Sequence, residues 1–120
     1  MSTSSEPWPT ELRLSKEKTT LQVSFDDGEI YDLSAEYLRV NSPSAEVQGH
    51  SPSQRKTIAG KKDLTISDLE PVGNYAVKIR FADGHDTGLY SWAYLHELGE
   101  TYTMRWRAYL KELEDKGLER

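Results

Sequence analysis

Two stretches of this chain say nearly the same thing. "FDDGEIYDLSAEYL", Phe25 to Leu38, and "FADGHDTGLYSWAYL", Phe81 to Leu95, both read Phe-x-Asp-Gly, four residues, Leu, then a Ser that opens a segment ending in Tyr-Leu. Only Tyr90, inserted before the second Ser, breaks the match. Asp-Gly between alternating apolar runs is a strong hairpin signal, because a two-residue mirror-image turn needs positive φ at both central positions. The alternation is present on the approach to each turn, in "TLQVSF" and in Tyr75, Val77, Ile79 and Phe81. Ser34 and Ser91 suit the N-cap, where a hydroxyl can accept an otherwise orphaned N–H. The pattern therefore predicts an α+β domain: an antiparallel, hairpin-built sheet with two repeated hairpin–helix units and a C-terminal helix packed on it.

Strands are expected near Leu12–Leu14, Thr20–Phe25, Glu29–Leu33, Leu64–Ile66, Tyr75–Phe81 and Thr87–Leu89. Helices are expected over Ser34–Arg39, Ser91–Leu98 and Tyr102–Lys116, with Gly99 as the stop of the second. In the last helix Tyr102, Trp106, Tyr109, Leu110 and Leu113 share one face. The expected core is Leu21, Val23, Phe25, Leu33, Leu38, Val77, Ile79, Phe81, Leu95, Trp106 and Leu110. Residues 1–10, Ser/Pro/Thr-rich and aperiodic, read as a disordered tail in which Trp8 is the residue able to dock, and residues 11–120 as a single domain. Between the two units, "VNSPSAEVQGHSPSQRK", Val40 to Lys56, has no helical or strand period. Long aperiodic loops in small domains are usually functional or disordered.

Several function classes lose support. The chain has no cysteine, which removes disulfides and thiolate metal sites. A formal charge of −5 with mixed signs gives no basic stripe for nucleic acid. No run approaches the roughly 20 apolar residues of a membrane span, and the expected location is cytoplasmic. "HELGE" at His96 begins like a zinc-protease motif but has Glu100 where the second His is needed. Gly60-Lys61-Lys62 resembles the end of a phosphate loop, yet Arg55 stands where its first Gly belongs and Lys62 where Ser or Thr belongs. No set of residues assembles a catalytic constellation, so an enzyme is not expected.

The pairing of "YLRVNSPSAEVQGH" with "DGHDTGLYSWAYL" resembles the N-terminal domain of gamma-butyrobetaine hydroxylase, and more closely the small stand-alone bacterial proteins named after that domain. The resemblance runs over roughly Leu12 to Glu100. It implies a structural zinc held by three cysteines and a hairpin histidine, and these positions correspond to Ser42, Ser44, Val47 and His85 here. Hydroxyl and alkyl groups do not replace thiolates, so the family zinc is expected to be missing and the loop either to be tied down by side-chain hydrogen bonds or to be mobile. The oxygenase domain of the hydroxylases has no counterpart in this sequence, so the resemblance does not imply hydroxylation. The same domain accompanies Mrp-type P-loop proteins that handle iron–sulfur clusters, which implies an accessory role beside metal-dependent systems.

Two readings follow. One is a non-catalytic accessory module that presents the Asn41–Lys62 loop with Arg55, and the aromatics Tyr90, Trp92 and Tyr94, to a protein partner. The other is a metal-binding accessory protein using His50 and His85, with Glu46 or Asp86, for weakly bound iron or zinc; otherwise no cofactor is expected. In a two-residue turn at Asp83-Gly84, His85 lies opposite Ala82, on the face away from Phe81, where the loop carrying His50 could meet it.

Overall fold

A computed structural model describes residues 7–48 and 57–120. Strands β1 (Pro9–Leu14), β2 (Thr20–Phe25) and β3 (Ile30–Ser34) form one antiparallel sheet in that order, followed by α1 (Ala35–Val40) and the single turn α2 (Ala45–Gln48). Strands β4 (Ile66–Val72), β5 (Ala76–Phe81) and β6 (Leu89–Ser91) form a second, followed by α3 (Trp92–Glu100) and α4 (Tyr102–Asp115). The α+β architecture and the repeat are as the sequence predicts. Leu21, Val23, Phe25 and Leu33 from the first sheet join Ile66, Val77, Ile79 and Phe81 from the second in one core, closed by Tyr37, Leu38, Tyr90, Leu95 and Leu98.

The two units match bond for bond. Ser34 Oγ accepts the Tyr37 N–H at 3.0 Å, and Ser91 Oγ accepts the Tyr94 N–H at 3.1 Å, each Ser in extended conformation. Each helix then hands its tyrosine to the other unit. The Tyr37 hydroxyl donates to Leu98 O at 2.6 Å, and the Tyr94 hydroxyl donates to Asn41 O at 2.5 Å. Both acceptors lie at helix C-termini, where carbonyls have no partner within the helix. Tyr90 adds a third such bond, to Leu38 O at 2.5 Å.

Several elements differ from expectation. The fourth strand runs Ile66–Val72 rather than Leu64–Ile66; a register shift between Ile66 and Asp68 breaks its alternation, and Pro71 is tolerated because β4 is an edge strand. Strand β6 is displaced from Thr87–Leu89 to Leu89–Ser91, which turns Tyr90 inward to full burial. Helix α3 runs through Gly99, where a Cβ would stand 2.3 Å from the Tyr31 ring; the glycine permits close approach rather than a stop. Strand β1 begins at Pro9, opposite Phe25, so Pro9 and Thr10 belong to the sheet and not to a tail, whose residues 1–6 lie outside the described ones. Trp106 is only partly buried and Leu110 is exposed, because α4 rests on Val40 and on Ile58 and Ala59 through Tyr109 and Leu113.

Tyr37→Phe and Tyr94→Phe each leave a helix-end carbonyl without its donor. Each should lower unfolding free energy by about 1–2 kcal/mol in urea titrations, with little change in m-value.

Candidate functional site

The residues that correspond to the family zinc ligands converge where α1 ends. Asn41 caps that helix, its side chain donating to Tyr37 O at 2.9 Å. The chain then turns inward, so that Ser42 is fully buried and Ser44 and His85 are each 7 % exposed. Ser42 Oγ and His85 Nε2 share a hydrogen bond of 2.9 Å, and the Ser44 N–H donates to the same Oγ at 3.2 Å. Ser44 Oγ shares a 2.8 Å bond with Thr87 Oγ1, and Gln48 donates to Ser42 O at 2.7 Å. Val47 is buried at the third ligand position. One imidazole, two hydroxyls and an alkyl group do not form a zinc donor set, and the hydroxyls are spent on His85, Thr87 and the Ser44 N–H. At Ser42 and Ser44 the chain is held by side-chain hydrogen bonds, the first of the two outcomes expected from the sequence. Among the described residues no three His, Cys, Asp or Glu side chains group as metal ligands.

His85 does not face outward. Phe81 N–H donates to His85 O and Gly84 N–H to Phe81 O, so the turn spans three residues, Ala82 to Gly84, with Gly84 alone at positive φ. One extra loop residue moves His85 from opposite Ala82 to opposite Phe81 and so reverses its face. Its ring lies 6.1 Å from that of Phe81. The first hairpin has the same turn, with Phe25 N–H on Glu29 O and Gly28 N–H on Phe25 O. His50 and Arg55 lie outside the described residues, and so does the expected approach of His50 to His85.

The second turn is also pinned from outside. Asp83 Oδ1 accepts the His85 N–H at 3.0 Å, while Oδ2 receives Arg39 Nε at 2.9 Å and Lys61 Nζ at 2.7 Å. Burial alone would raise this carboxyl, but the bonds from Lys61, the His85 N–H and Arg39 outweigh it and hold the pKa at about 2. The equivalent position in the first turn, Asp27, meets His96 Nε2 at 2.8 Å. Sequence reasoning missed both cross-unit contacts; the alignment of Asp27 with Asp83, and of Arg39 with His96, was their only signal.

The expected aromatic face divides. Tyr90 is fully buried with its hydroxyl on Leu38 O, so it cannot meet a partner; burial pushes its pKa upward. Tyr94 is committed to Asn41. Trp92 donates Nε1–H to Asn74 O at 2.9 Å and lines two shallow clefts of about 250 and 300 Å³ together with Trp8. Trp8 and Tyr75, 51 % and 56 % exposed, complete this surface; the sequence places Tyr75 in the apolar alternation of the fifth strand, but β5 begins at Ala76 and leaves Tyr75 outside the core.

Ser42→Ala leaves the Ser44 N–H and a His85 nitrogen without their partner, and should cost about 1–3 kcal/mol, whereas dialysis against a chelator should leave thermal unfolding unchanged. For Asp83 the folded pKa lies below the unfolded value. Its stabilisation is present above pH of about 4 and is lost as pH falls toward 2. Asp83→Asn should therefore be less stable than the parent at pH 7 by about 2 kcal/mol, and the two denaturation curves should merge near pH 2.

The family model of the gamma-butyrobetaine hydroxylase-like N-terminal domain matches residues 12–96. Two proteins with NMR solution structures are similar to the chain. One has 43% identity and a TM-score of 0.82, covering 96% of this chain and 90% of its own; the other has 45% identity and a TM-score of 0.81, covering 100% and 90%. A protein of unknown function of the DUF971 family from Acidithiobacillus ferrooxidans, known from a crystal structure, has 34% identity and a TM-score of 0.63 over 76% of this chain and 91% of its own. No curated protein matches. With this match over most of its length, the chain belongs to the gamma-butyrobetaine hydroxylase-like N-terminal domain family.

Proposed function

We propose that the chain is a non-catalytic accessory module that binds a protein partner, and that its docking face is the surface formed by Trp8, Tyr75 and Trp92. The observation that carries this reading is the exposure of two large aromatic side chains around paired clefts, on a domain whose other aromatics are largely spent on the core. Aromatic side chains supply much of the binding energy at protein interfaces. Trp8 is held through its backbone, its N–H on Asp26 Oδ1 at 3.0 Å and its carbonyl accepting the Asp26 N–H at 2.8 Å. The indole is thereby presented on a fixed support.

Binding rather than catalysis also suits the buried hydroxyl–imidazole pair. Ser42 and His85 are close enough for proton transfer, but Ser42 is closed off from any substrate. Among the described residues no helix is long and apolar enough to cross a membrane.

A photo-crosslinking residue placed at Ala93, beside the clefts, should yield a discrete adduct with one host protein. Trp8→Ala and Tyr75→Ala should each weaken capture of that protein by about 2 kcal/mol, or roughly 30-fold, while leaving thermal unfolding nearly unchanged. Capture that is indifferent to both substitutions would place the interface elsewhere.

A further inference from the structure

We propose that the cleft between the Gly60–Thr65 turn and the tip of the β5–β6 hairpin binds a small phosphoryl-bearing anion. The cleft has a volume of about 380 Å³, within the range of small-molecule sites, and lies apart from the aromatic face. Its lining carries Lys61, Lys62 and Arg120 against the carboxylates of Asp63 and Asp83. The chain as a whole is acidic, so this local balance runs against its composition.

Following the contacts leaves that excess at one positive charge, since Arg39 and Glu36 add one charge of each sign. Asp83 Oδ2 is shared by Lys61 and Arg39, so one negative charge answers two cations. Arg39 stands behind Asp83 rather than in the lining, and its buried Nη1 has no acceptor among the described residues. Arg120 gives Nε and Nη2 to Glu36, which is 4 % exposed, at 3.1 and 2.8 Å. Lys62 forms no ion pair among the described residues and stands exposed on the rim.

The backbone adds to this. The turn is entered at Gly60 with φ of +73° and closed by the Leu64 N–H on Lys61 O at 3.0 Å. No backbone carbonyl among the described residues accepts the intervening N–H groups of Lys62 and Asp63. Successive backbone N–H groups in a turn can form an anion-binding concavity. A tetrahedral oxyanion can take those N–H groups and the lysine ammoniums together, which a single carboxylate cannot do as fully. The chain reaches this chemistry without the phosphate-loop spacing, whose other positions it lacks.

The test is a titration of the intact chain with inorganic pyrophosphate at physiological ionic strength, followed through backbone amide resonances. Saturable shifts confined to Lys61–Thr65 and Ala82–Gly84, with a Kd of about 1 mM or tighter, support the site. Lys62→Ala should weaken binding by about tenfold and Lys62→Arg should largely restore it; Lys62 is exposed, so neither change should disturb folding. Shifts that fail to saturate, that spread equally to Lys16 and Lys18, or that persist unchanged in Lys62→Ala would overturn the proposal.

Discussion

The fold depends on an exchange of tyrosine hydroxyls between its two halves. Helices of six and nine residues are too short to be stable alone, and each ends in carbonyls that no intrahelical N–H can reach. Tyr37 and Tyr94 occupy the same place in the repeat, one turn after the capping serine, and each caps the end of the other unit's helix segment. Each half satisfies part of its own helix end, through Asn41 and Thr101, and the tyrosine from the other half takes a further carbonyl. The hydrophobic core would hold two such units together loosely, but the hydroxyls fix one relative position, since an unmet carbonyl in that core is costly. Tyr31 on the face of Gly99, together with the Asp27–His96 and Asp83–Arg39 contacts, depends on that position.

What the sequence revealed follows from which interactions are local. Apolar alternation, Asp-Gly turns and N-cap serines act over a few residues, and β2, β5 and the three longer helices lie close to where those signals put them. The strand with a register shift and a proline, β4, carries a weakened alternation and was recognised only at its first residue. The turn was misjudged by a single residue, and in a strand that error is total: His85 changed from an outward candidate ligand to a buried partner of Ser42. The tyrosine exchange joins residues separated by 61 and 53 positions, and no local pattern announces it.

The same logic applies to the join between the loop after α1 and the second hairpin. Here the loop sends Ser42 to His85 and Ser44 to Thr87, two bonds between the same two segments, and buries Val47 beneath them. Each bond contributes about 1 kcal/mol, far less than metal coordination would. The outer clamp of Arg39 and Lys61 on Asp83 reinforces the same hairpin. Polar groups buried without partners would make this join untenable; the side chains of Ser42, Ser44 and Gln48 are all paired.

Divergence at one position of the repeat gives the two ends of the domain different chemistry. Asp27 and Asp83 sit in superimposable turns, but the first meets His96 and the second meets Arg39. His96 is flat and aromatic: it packs edge-on against Phe25 at 4.8 Å and Tyr31 at 5.4 Å, and that turn's neighbour Asp26 anchors the backbone of Trp8. Arg39 keeps a fixed positive charge and shares its carboxylate with Lys61, which draws the Gly60 turn against the second hairpin. A ring at one end supports the aromatic face, whereas a guanidinium at the other assembles a cationic cleft. The backbone is repeated, and the surface is not.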